Sequence, residues 1–292
     1  MNGPSPKKVL VGLVQMACCD EKEANLTCAL EMIAEAADHG AGLVCLPELF
    51  SGLYPCQTES HDRFSAAESI PGPTCERLAE AARRHHVVLI GSLFERRAPG
   101  LFHNTAVVFE NDGRLLGCYR KIHIPDDPSY YEKFYFAPGD LGFPVFETSI
   151  GKIGVAVCWD QWFPEAARLL ALGGAELIFY PTAIGWLNEE KENWGQSQWS
   201  AWQTMMRAHA IANGLFVAAV NRVGIEESIE FWGRSFCSNP YGEVLVGDDG
   251  QQPGVLYAEC DLALIETART HWPFLRDRRP DVYRGLTRQF LR

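Results

Sequence analysis

Several sequence patterns that mark common protein classes are missing from this chain. No apolar run approaches the roughly 20 residues of a membrane-spanning helix, so the sequence predicts a soluble protein without a membrane partner. The N-terminal VLVGLVQMACC is similar to a signal-peptide core, but Gln15 interrupts it and no clean small-residue cleavage pattern follows. We therefore interpret this segment as the first strand of the fold.

Basic residues are too few for a protein that binds polyanions. Lysine and arginine total 26 against 37 acidic residues, which leaves a formal net charge of -11. Such a surface does not favour nucleic acid or anionic lipid as a partner. The charge instead favours a small-molecule substrate that is cationic or neutral.

The motifs of several enzyme classes are also absent. Without GxSxG or a strand-linked GxGxxG, the sequence argues against a serine hydrolase elbow and a dinucleotide fold. His85 and His86 close a predicted helix without an HExxH motif, and the ten cysteines include no CxxC pair, so we expect neither metal nor organic cofactor. Cysteines without such pairing indicate a reducing compartment, and we expect a cytoplasmic protein.

Apolar strands and amphipathic helices alternate along the 292 residues, which predicts an α/β fold with layered sheets. The hydrophobic content of 47% is ample for a core, and we predict a single domain over residues 1–292. Helices are predicted at 23–40, 73–86, after Cys158 and at 200–213. Strands are predicted at 8–15, 41–47, 87–95, 103–110, 114–124, 154–157, 175–181 and 215–221, with shorter ones near 233–238, 243–247 and 254–260. Residues 125–144 and 183–200 are predicted to be long loops that border a site.

Cys158 lies at a predicted junction between a buried strand and a helix, in the segment GVAVCWDQWFPEAAR. The apolar GVAV is typical of an inner strand, and Pro164 and Glu165 suit the first turn of a helix. The positive end of a helix lowers the pKa of a thiol below its usual value of ~8.5. The sequence therefore predicts that Cys158 is a nucleophile activated by the helix that follows it.

Glu48 and Lys121 are two further reactive side chains near predicted strand ends. Glu48 follows the apolar AGLVCLP, and Lys121 lies within RLLGCYRKIHI. Because strand ends line the ligand crevice of α/β sheets, these two residues and Cys158 are expected to converge on one point. Taken singly, a loop carboxylate, a solvated lysine and an inert cysteine are adequate explanations, but the combination indicates a catalytic site.

Two alternatives stay open from the residues alone. Strand alternation places His123 on the same face as Lys121, and a Cys–His pair is a common nucleophile system. The second alternative is a non-catalytic protein that uses the same fold as an assembly module.

Three sequence contexts resemble the nitrilase superfamily, the carbon-nitrogen hydrolases. These are CLPELF around Glu48, YRKIHIP around Lys121 and VCWDQWFPE around Cys158. The longer segments HIPDDPSYYEKFYFAPGDLGF, CWDQWFPEAAR and FYPTAIGW are similar to the N-carbamoylputrescine amidase branch of that family. The resemblance implies a four-layer αββα sandwich, and a homo-oligomer that associates through the helices flanking the nucleophile strand.

The resemblance also assigns roles to individual residues. It implies Cys158 as the nucleophile, Glu48 as general base and acid, and Lys121 as the group that stabilises the transition state. Glu132 matches a second glutamate near the catalytic lysine, where it would keep the ammonium charged. The backbone amide of Trp159 is expected to donate a hydrogen bond to the oxyanion together with Lys121.

For an N-carbamoyl amine we expect hydrolysis through an S-carbamoyl enzyme, with N-carbamoylputrescine as the preferred substrate. Another amidase, a β-ureidopropionase-like enzyme or a nitrilase is the alternative, because residues 186–199 border the pocket in relatives and vary among them. Acidic residues at 126, 127, 189 and 190 are candidates for binding a substrate ammonium. The expected substrate-contacting residues are Tyr54, Asp126, Tyr130, Trp159, Thr182, Ala183, Trp186 and Glu189.

Overall fold

The structure, a computed structural model, describes residues 8–247, 250 and 252–291. Its strands are β1 (Lys8–Gln15), β2 (Leu43–Cys45), β3 (Val88–Ala98), β4 (Leu101–Phe109), β5 (Leu115–Arg120), β6 (Val145–Thr148), β7 (Gly151–Val155), β8 (Leu177–Thr182), β9 (Gly185–Leu187), β10 (Phe216–Asn221), β11 (Val223–Glu226), β12 (Ile229–Trp232), β13 (Phe236–Ser238), β14 (Val244–Gly247) and β15 (Gly254–Asp261). Its α-helices are α1 (Lys22–Asp38), α2 (Pro73–His85), α3 (Glu132–Tyr135), α4 (Pro164–Leu172), α5 (Asn188–Asn213) and α6 (Ala263–His271). The predicted domain of residues 1–292 stays a prediction, since residues 1–7, 248, 249, 251 and 292 lie outside the described ranges.

Two six-stranded mixed sheets account for most of the strands in the described ranges. The first has the order β15-β1-β2-β3-β4-β5, with β1, β2 and β3 parallel. The second has the order β14-β13-β10-β8-β7-β6, with β7, β8 and β10 parallel. In both sheets the parallel strands lie at the centre and antiparallel strands flank them. Central parallel strands are covered on both faces, which explains why their sequences are continuous apolar runs.

Alternation along β1 shows how the layers are built. Val11 and Leu13 pack in the hydrophobic cluster between the two sheets, whereas Val14 packs with Leu26 and Ile33 of α1. Helices α1 and α2 cover the outer face of the first sheet, and α4 and α5 cover that of the second. The resulting order of helices, sheet, sheet and helices confirms the four-layer αββα sandwich.

Strand ends near the predicted site differ from the sequence prediction by a few residues. Strand β2 ends at Cys45, two residues before Pro47, which cannot donate to a ladder. Strand β5 ends at Arg120 rather than at residue 124, so Lys121 is the first residue beyond it. The predicted loop at 125–144 contains the short helix α3, whose first residue is Glu132.

The predicted loop over residues 183–200 is wrong. This region forms β9 and the first half of α5, which extends without interruption to Asn213. Gly195 packs beneath Trp186, whose Nε1 donates to the Gly195 carbonyl at 3.0 Å. The largely polar residues 188–194 that suggested a loop are all exposed, and the helix is anchored from Gly195 onward, where Trp202 and Met206 are buried. The three-stranded sheet β11-β12-β9 was likewise not predicted.

Among the helices that the structure describes, none has both the length and the apolar character that a membrane crossing requires.

Candidate active site

Three buried side chains from three strand ends meet in one site. Glu48 follows β2, Lys121 follows β5 and Cys158 follows β7, so two come from the first sheet and one from the second. Their exposed fractions are 0%, 0% and 5%. Together with Glu132 they form the reactive cluster: Lys121 bonds both carboxylates, and all three of these groups interact electrostatically with Cys158. The site lies between two sheets rather than along one sheet edge.

Lys121 is the electrostatic centre of the reactive cluster. Its Nζ donates to Glu48 Oε1 at 2.8 Å and to both Glu132 oxygens at 2.7 and 2.8 Å. Burial by itself lowers the pKa of Lys121, but the carboxylates of Glu132 and Glu48 outweigh it and hold the pKa well above its ordinary value. Lys121 is therefore an ammonium, available for stabilising a negative charge that develops nearby.

Glu48 has two oxygens in different surroundings. Oε1 accepts hydrogen bonds from Lys121 Nζ and from Asn104 Nδ2, the latter at 2.6 Å. Within the described ranges Oε2 has no hydrogen-bond partner, although it is buried. A buried carboxylate oxygen without a donor is costly, and active sites are where such groups occur. This oxygen is free to accept a proton from the thiol or from a substrate.

Glu132 begins helix α3 and is the second carboxylate that binds the Lys121 ammonium. Tyr54 donates its hydroxyl to Glu132 Oε1 at 2.7 Å, beside the two bonds from Lys121. Burial raises the pKa of Glu132 to about 7, while the Lys121 ammonium opposes that shift and the Glu48 carboxylate adds to it. Glu132 therefore takes up a proton near neutral pH.

Cys158 begins a 3-10 turn, Cys158–Trp162, with a backbone φ of +42°. Its Sγ–H donates to the carbonyl of Ala183 at 3.8 Å. Burial raises the pKa of the Cys158 thiol well above its ordinary value, and Glu48 raises it further, although Lys121 lowers it. The expectation that a helix end lowers this pKa is wrong, because α4 begins only at Pro164 and desolvation dominates. A base must therefore remove the thiol proton.

Asp160 fixes the turn that carries the nucleophile. Its carboxylate accepts the Val157 N–H at 2.9 Å, the Tyr119 hydroxyl at 2.7 Å and the His123 N–H at 3.0 Å. His123 Nδ1 lies 2.7 Å from the same carboxylate, and its ring stacks on Phe163 at 3.7 Å between centroids. These contacts give His123 a structural partner other than Cys158, and they favour Lys121 as the functional residue of this segment.

A cavity of about 440 Å³ opens onto Cys158. Three of the predicted substrate-contacting residues line it, namely Tyr130, Trp159 and Ala183. The charged lining side chains among the described residues are Asp127 and Glu190, which together form the acidic wall of the cavity. The cavity has a size suited to a small organic substrate, and its charge is negative.

The other predicted contact residues lie behind the lining or outside it. Tyr54, Thr182 and Trp186 are buried and bonded within the protein, to Glu132, to the Tyr180 carbonyl and to the Gly195 carbonyl. Asp126 and Glu189 are exposed and are not lining residues, whereas the next residue along the chain lines the cavity in each case. Composition alone does not determine which of two adjacent acidic residues faces the cavity.

Sequence reasoning missed several residues around the site. Asn104 bonds Glu48, Asp160 anchors the nucleophile turn, and Trp162, Gln198 and Trp232 line the cavity. Asp160 and Trp162 lie in the segment CWDQWF beside Cys158, and this closeness to the predicted nucleophile is a sequence signal for a place in the site. Asn104 lies inside strand β4, far in sequence from the three predicted catalytic residues, and no motif indicates its role. In the described part of the chain, no three His, Cys, Asp or Glu side chains form a metal-binding group.

The carbon-nitrogen hydrolase family model matches residues 10–270 of this chain. N-carbamoylputrescine amidase of Arabidopsis thaliana is 43% identical over 96% of this chain and 95% of its own length. Citrullinase of Francisella tularensis is 38% identical over 97% of this chain and 99% of its own length.

A solved structure leads to the same family. The crystal structure of a carbon-nitrogen hydrolase from Helicobacter pylori G27 is 45% identical, with a TM-score of 0.94 over 97% of this chain and 100% of that one. Sequence and fold thus agree over nearly the whole length, and the chain belongs to the carbon-nitrogen hydrolase family.

Proposed function

We propose that the protein hydrolyses the carbamoyl C–N bond of an N-carbamoyl amine. The best candidate substrate is N-carbamoylputrescine, which would yield putrescine, carbon dioxide and ammonia, a step of polyamine biosynthesis. Support comes from the curated relatives of that activity, among them the Arabidopsis thaliana enzyme at 43% identity.

The observation that carries the substrate proposal is the charge of the cavity. Asp127 and Glu190 line it, and no lysine or arginine is among the described lining residues. An alkylammonium at the far end of the substrate is stabilised by such carboxylates, whereas a carboxylate end is repelled by them. The acidic wall therefore favours N-carbamoylputrescine over citrulline or N-carbamoyl-β-alanine.

In the first half-reaction Glu48 accepts the thiol proton as the Cys158 sulfur attacks the carbamoyl carbon. The carbonyl oxygen becomes an oxyanion, stabilised by the Lys121 ammonium and the Trp159 N–H. Collapse of this tetrahedral intermediate breaks a C–N bond, and Glu48 returns its proton to the departing ammonia. An S-carbamoyl enzyme is left.

In the second half-reaction Glu48 takes a proton from water, and the hydroxide attacks the S-carbamoyl carbon. The C–S bond breaks, and the Cys158 sulfur regains a proton from Glu48. The product carbamate decomposes to carbon dioxide and the free amine. Glu132 holds the Lys121 ammonium throughout and touches no reacting atom.

We further propose that the enzyme is a homo-oligomer of the cytoplasm. Leu169 and Leu172 of α4 are each 49% exposed, and Leu286 and Phe290 near the C-terminus are 67% and 78% exposed. Large apolar side chains on the helix after the nucleophile are suited to burial against a second copy. Light scattering after size exclusion would give the mass of the assembly.

Ammonia release from a substrate panel tests the function. Purified protein would be incubated with N-carbamoylputrescine, citrulline, N-carbamoyl-β-alanine, a dicarboxylate monoamide and an arylacetonitrile, with Cys158→Ser as the background. We expect the highest kcat/KM for N-carbamoylputrescine. Preference for an anionic substrate would overturn the amine assignment, and no ammonia from any substrate would favour an assembly module.

A further inference from the structure

Arg222 is a fully buried arginine directly after β10, and it does not line the substrate cavity. Its Nη1 pairs with the Glu226 carboxylate at 3.1 Å, and its guanidinium lies 5.3 Å from the centre of the Phe231 ring. Removing a guanidinium from water is unfavourable unless its donors find partners. The contacts of its second terminal nitrogen connect it to the active site.

That nitrogen, Nη2, binds the turn that directly follows Glu48. It donates to the Leu49 carbonyl at 3.2 Å and to the Gly52 carbonyl at 2.8 Å. It also lies 2.8 Å from the sulfur of Cys18. One buried cation thus joins two carbonyls of the turn that leads away from the proposed general base.

Leu49 needs such support because its backbone φ is +49°. A branched L side chain rarely adopts this left-handed conformation, and it persists only where the surroundings hold it. The Leu49 N–H donates to Ser92 Oγ at 3.2 Å, and Ser92 Oγ donates to Asn104 Oδ1 at 3.1 Å. The residue after Glu48 is therefore held at its amide by Ser92 and at its carbonyl by Arg222.

A second connection runs from the same ion pair to the other carboxylate of the reactive cluster. Glu226 Oε2 accepts the Tyr54 N–H at 2.6 Å, and the Tyr54 hydroxyl donates to Glu132 Oε1. The Arg222–Glu226 pair is thus connected to both carboxylates that bind Lys121: to Glu48 through the adjoining turn, and to Glu132 through Tyr54.

We propose that Arg222 is a positioning residue for the hydrolysis, holding the turn of residues 49–52 so that the Glu48 carboxylate is aligned to take the proton of Cys158. The proposal rests on the proposed role of Glu48 as general base. Arg222 contacts no substrate-lining residue of the acidic wall, so its loss should change kcat and the ionisation of Cys158 rather than KM.

Two substitutions and a matched control test the role of Arg222. Arg222→Lys keeps the charge but loses the planar fork, and Arg222→Gln loses both. The control is Arg269→Gln, since Arg269 is a partly buried arginine of α6 whose Nε and Nη2 donate to backbone carbonyls of Asn213 and Ala175 at 3.2 and 3.4 Å. Circular dichroism and thermal melting would show which variants fold.

The first readout is steady-state hydrolysis of N-carbamoylputrescine. The second is alkylation of Cys158 by iodoacetamide at neutral and alkaline pH, followed by mass spectrometry of the Cys158 peptide. Alkylation needs no substrate, so it tests Arg222 even if the wild type proves inactive on N-carbamoyl amines. Failure of the substrate proposal is therefore distinguishable from failure of this one.

We expect kcat to fall about tenfold in Arg222→Lys and about a hundredfold in Arg222→Gln, with KM within about twofold of the wild type. Alkylation should slow in the same order at neutral pH and recover at alkaline pH, where hydroxide ionises the thiol without Glu48. If Arg222→Gln does not fold, Arg222→Lys decides. Equal losses in the Arg269 control, a change in KM with unchanged kcat, or alkylation that stays slow at alkaline pH would overturn the proposal.

Discussion

The reactive cluster and the acidic wall hold carboxylates in opposite surroundings. Glu132 is fully buried, accepts two bonds from Lys121 and one from Tyr54, and has a pKa raised by burial. Glu190 is exposed, and its carboxylate accepts one bond, from Gln198 Nε2 at 2.9 Å. Charges interact strongly where water is excluded and weakly where it is present.

The difference separates chemistry from selectivity. Changes in the reactive cluster should alter rate by orders of magnitude, since each group there acts in a dry and fixed arrangement. Changes in the acidic wall should alter substrate affinity by small, salt-sensitive amounts. Substitutions in the two regions can break or sharpen this contrast.

The largest effect is expected for Cys158→Ser. A serine hydroxyl is a far weaker nucleophile here, so turnover should fall by at least about 10³-fold while the fold remains. Ammonia release and circular dichroism would be measured on the same sample. Retained turnover in a folded variant would remove Cys158 from the mechanism.

The next effect distinguishes Lys121 from His123. Lys121→Ala removes an oxyanion donor, and kcat should fall about 10²-fold to 10³-fold. His123→Ala leaves the reactive cluster intact and loosens only the contacts of Asp160, so its loss should be about tenfold or less. Steady-state kinetics on both variants decide between them, and a larger loss at His123 would restore the Cys–His alternative.

The pH dependence of the wild type reports the reactive cluster directly. Because the pKa of Glu132 is raised to about 7, this carboxyl gains a proton below that pH and loses its hold on the Lys121 ammonium. We therefore expect kcat/KM to decrease as the pH falls through this value. In Glu132→Gln we expect the maximal kcat/KM to be lower and its decrease at acid pH to be absent. If the decrease at acid pH is unchanged, another group is responsible for it.

The smallest effect is expected in the acidic wall. Glu190→Gln should raise KM for N-carbamoylputrescine about fivefold, since an exposed ion pair contributes about 1 kcal/mol or less. Glu189→Gln is the matched control, because Glu189 is exposed and not a lining residue. The neutral analogue butylurea should show no change in KM. Equal effects of the two substitutions would show that Glu190 does not bind the ammonium.

The contrast also explains what the sequence revealed. Strand β1 has the predicted bounds, and the structure places Glu48, Lys121 and Cys158 in one cluster, because strand ends and polar interruptions of apolar runs are local signals. The catalytic roles of these three residues stay a prediction, which the variants above test.

The rest of the site depends on contacts between distant segments. Asn104 lies within β4 and donates a hydrogen bond to Glu48. The polar start of α5 has the composition of a loop, and only its contact with Trp186 shows that it is helical. Burial likewise reversed the expected pKa shift of Cys158, since the depth of a thiol cannot be read from its neighbours in sequence. Long-range packing is the information that local patterns omit.

Trapping the covalent intermediate tests the central claim most directly. Wild-type enzyme would be quenched with acid during turnover of N-carbamoylputrescine, digested and analysed by mass spectrometry. Because ammonia leaves in the first half-reaction, we predict one N-(4-aminobutyl)carbamoyl group on the Cys158 peptide, absent from Cys158→Ser. Full turnover with an unmodified Cys158, or a carbamoyl group on another residue that forms as fast as ammonia, would contradict the account.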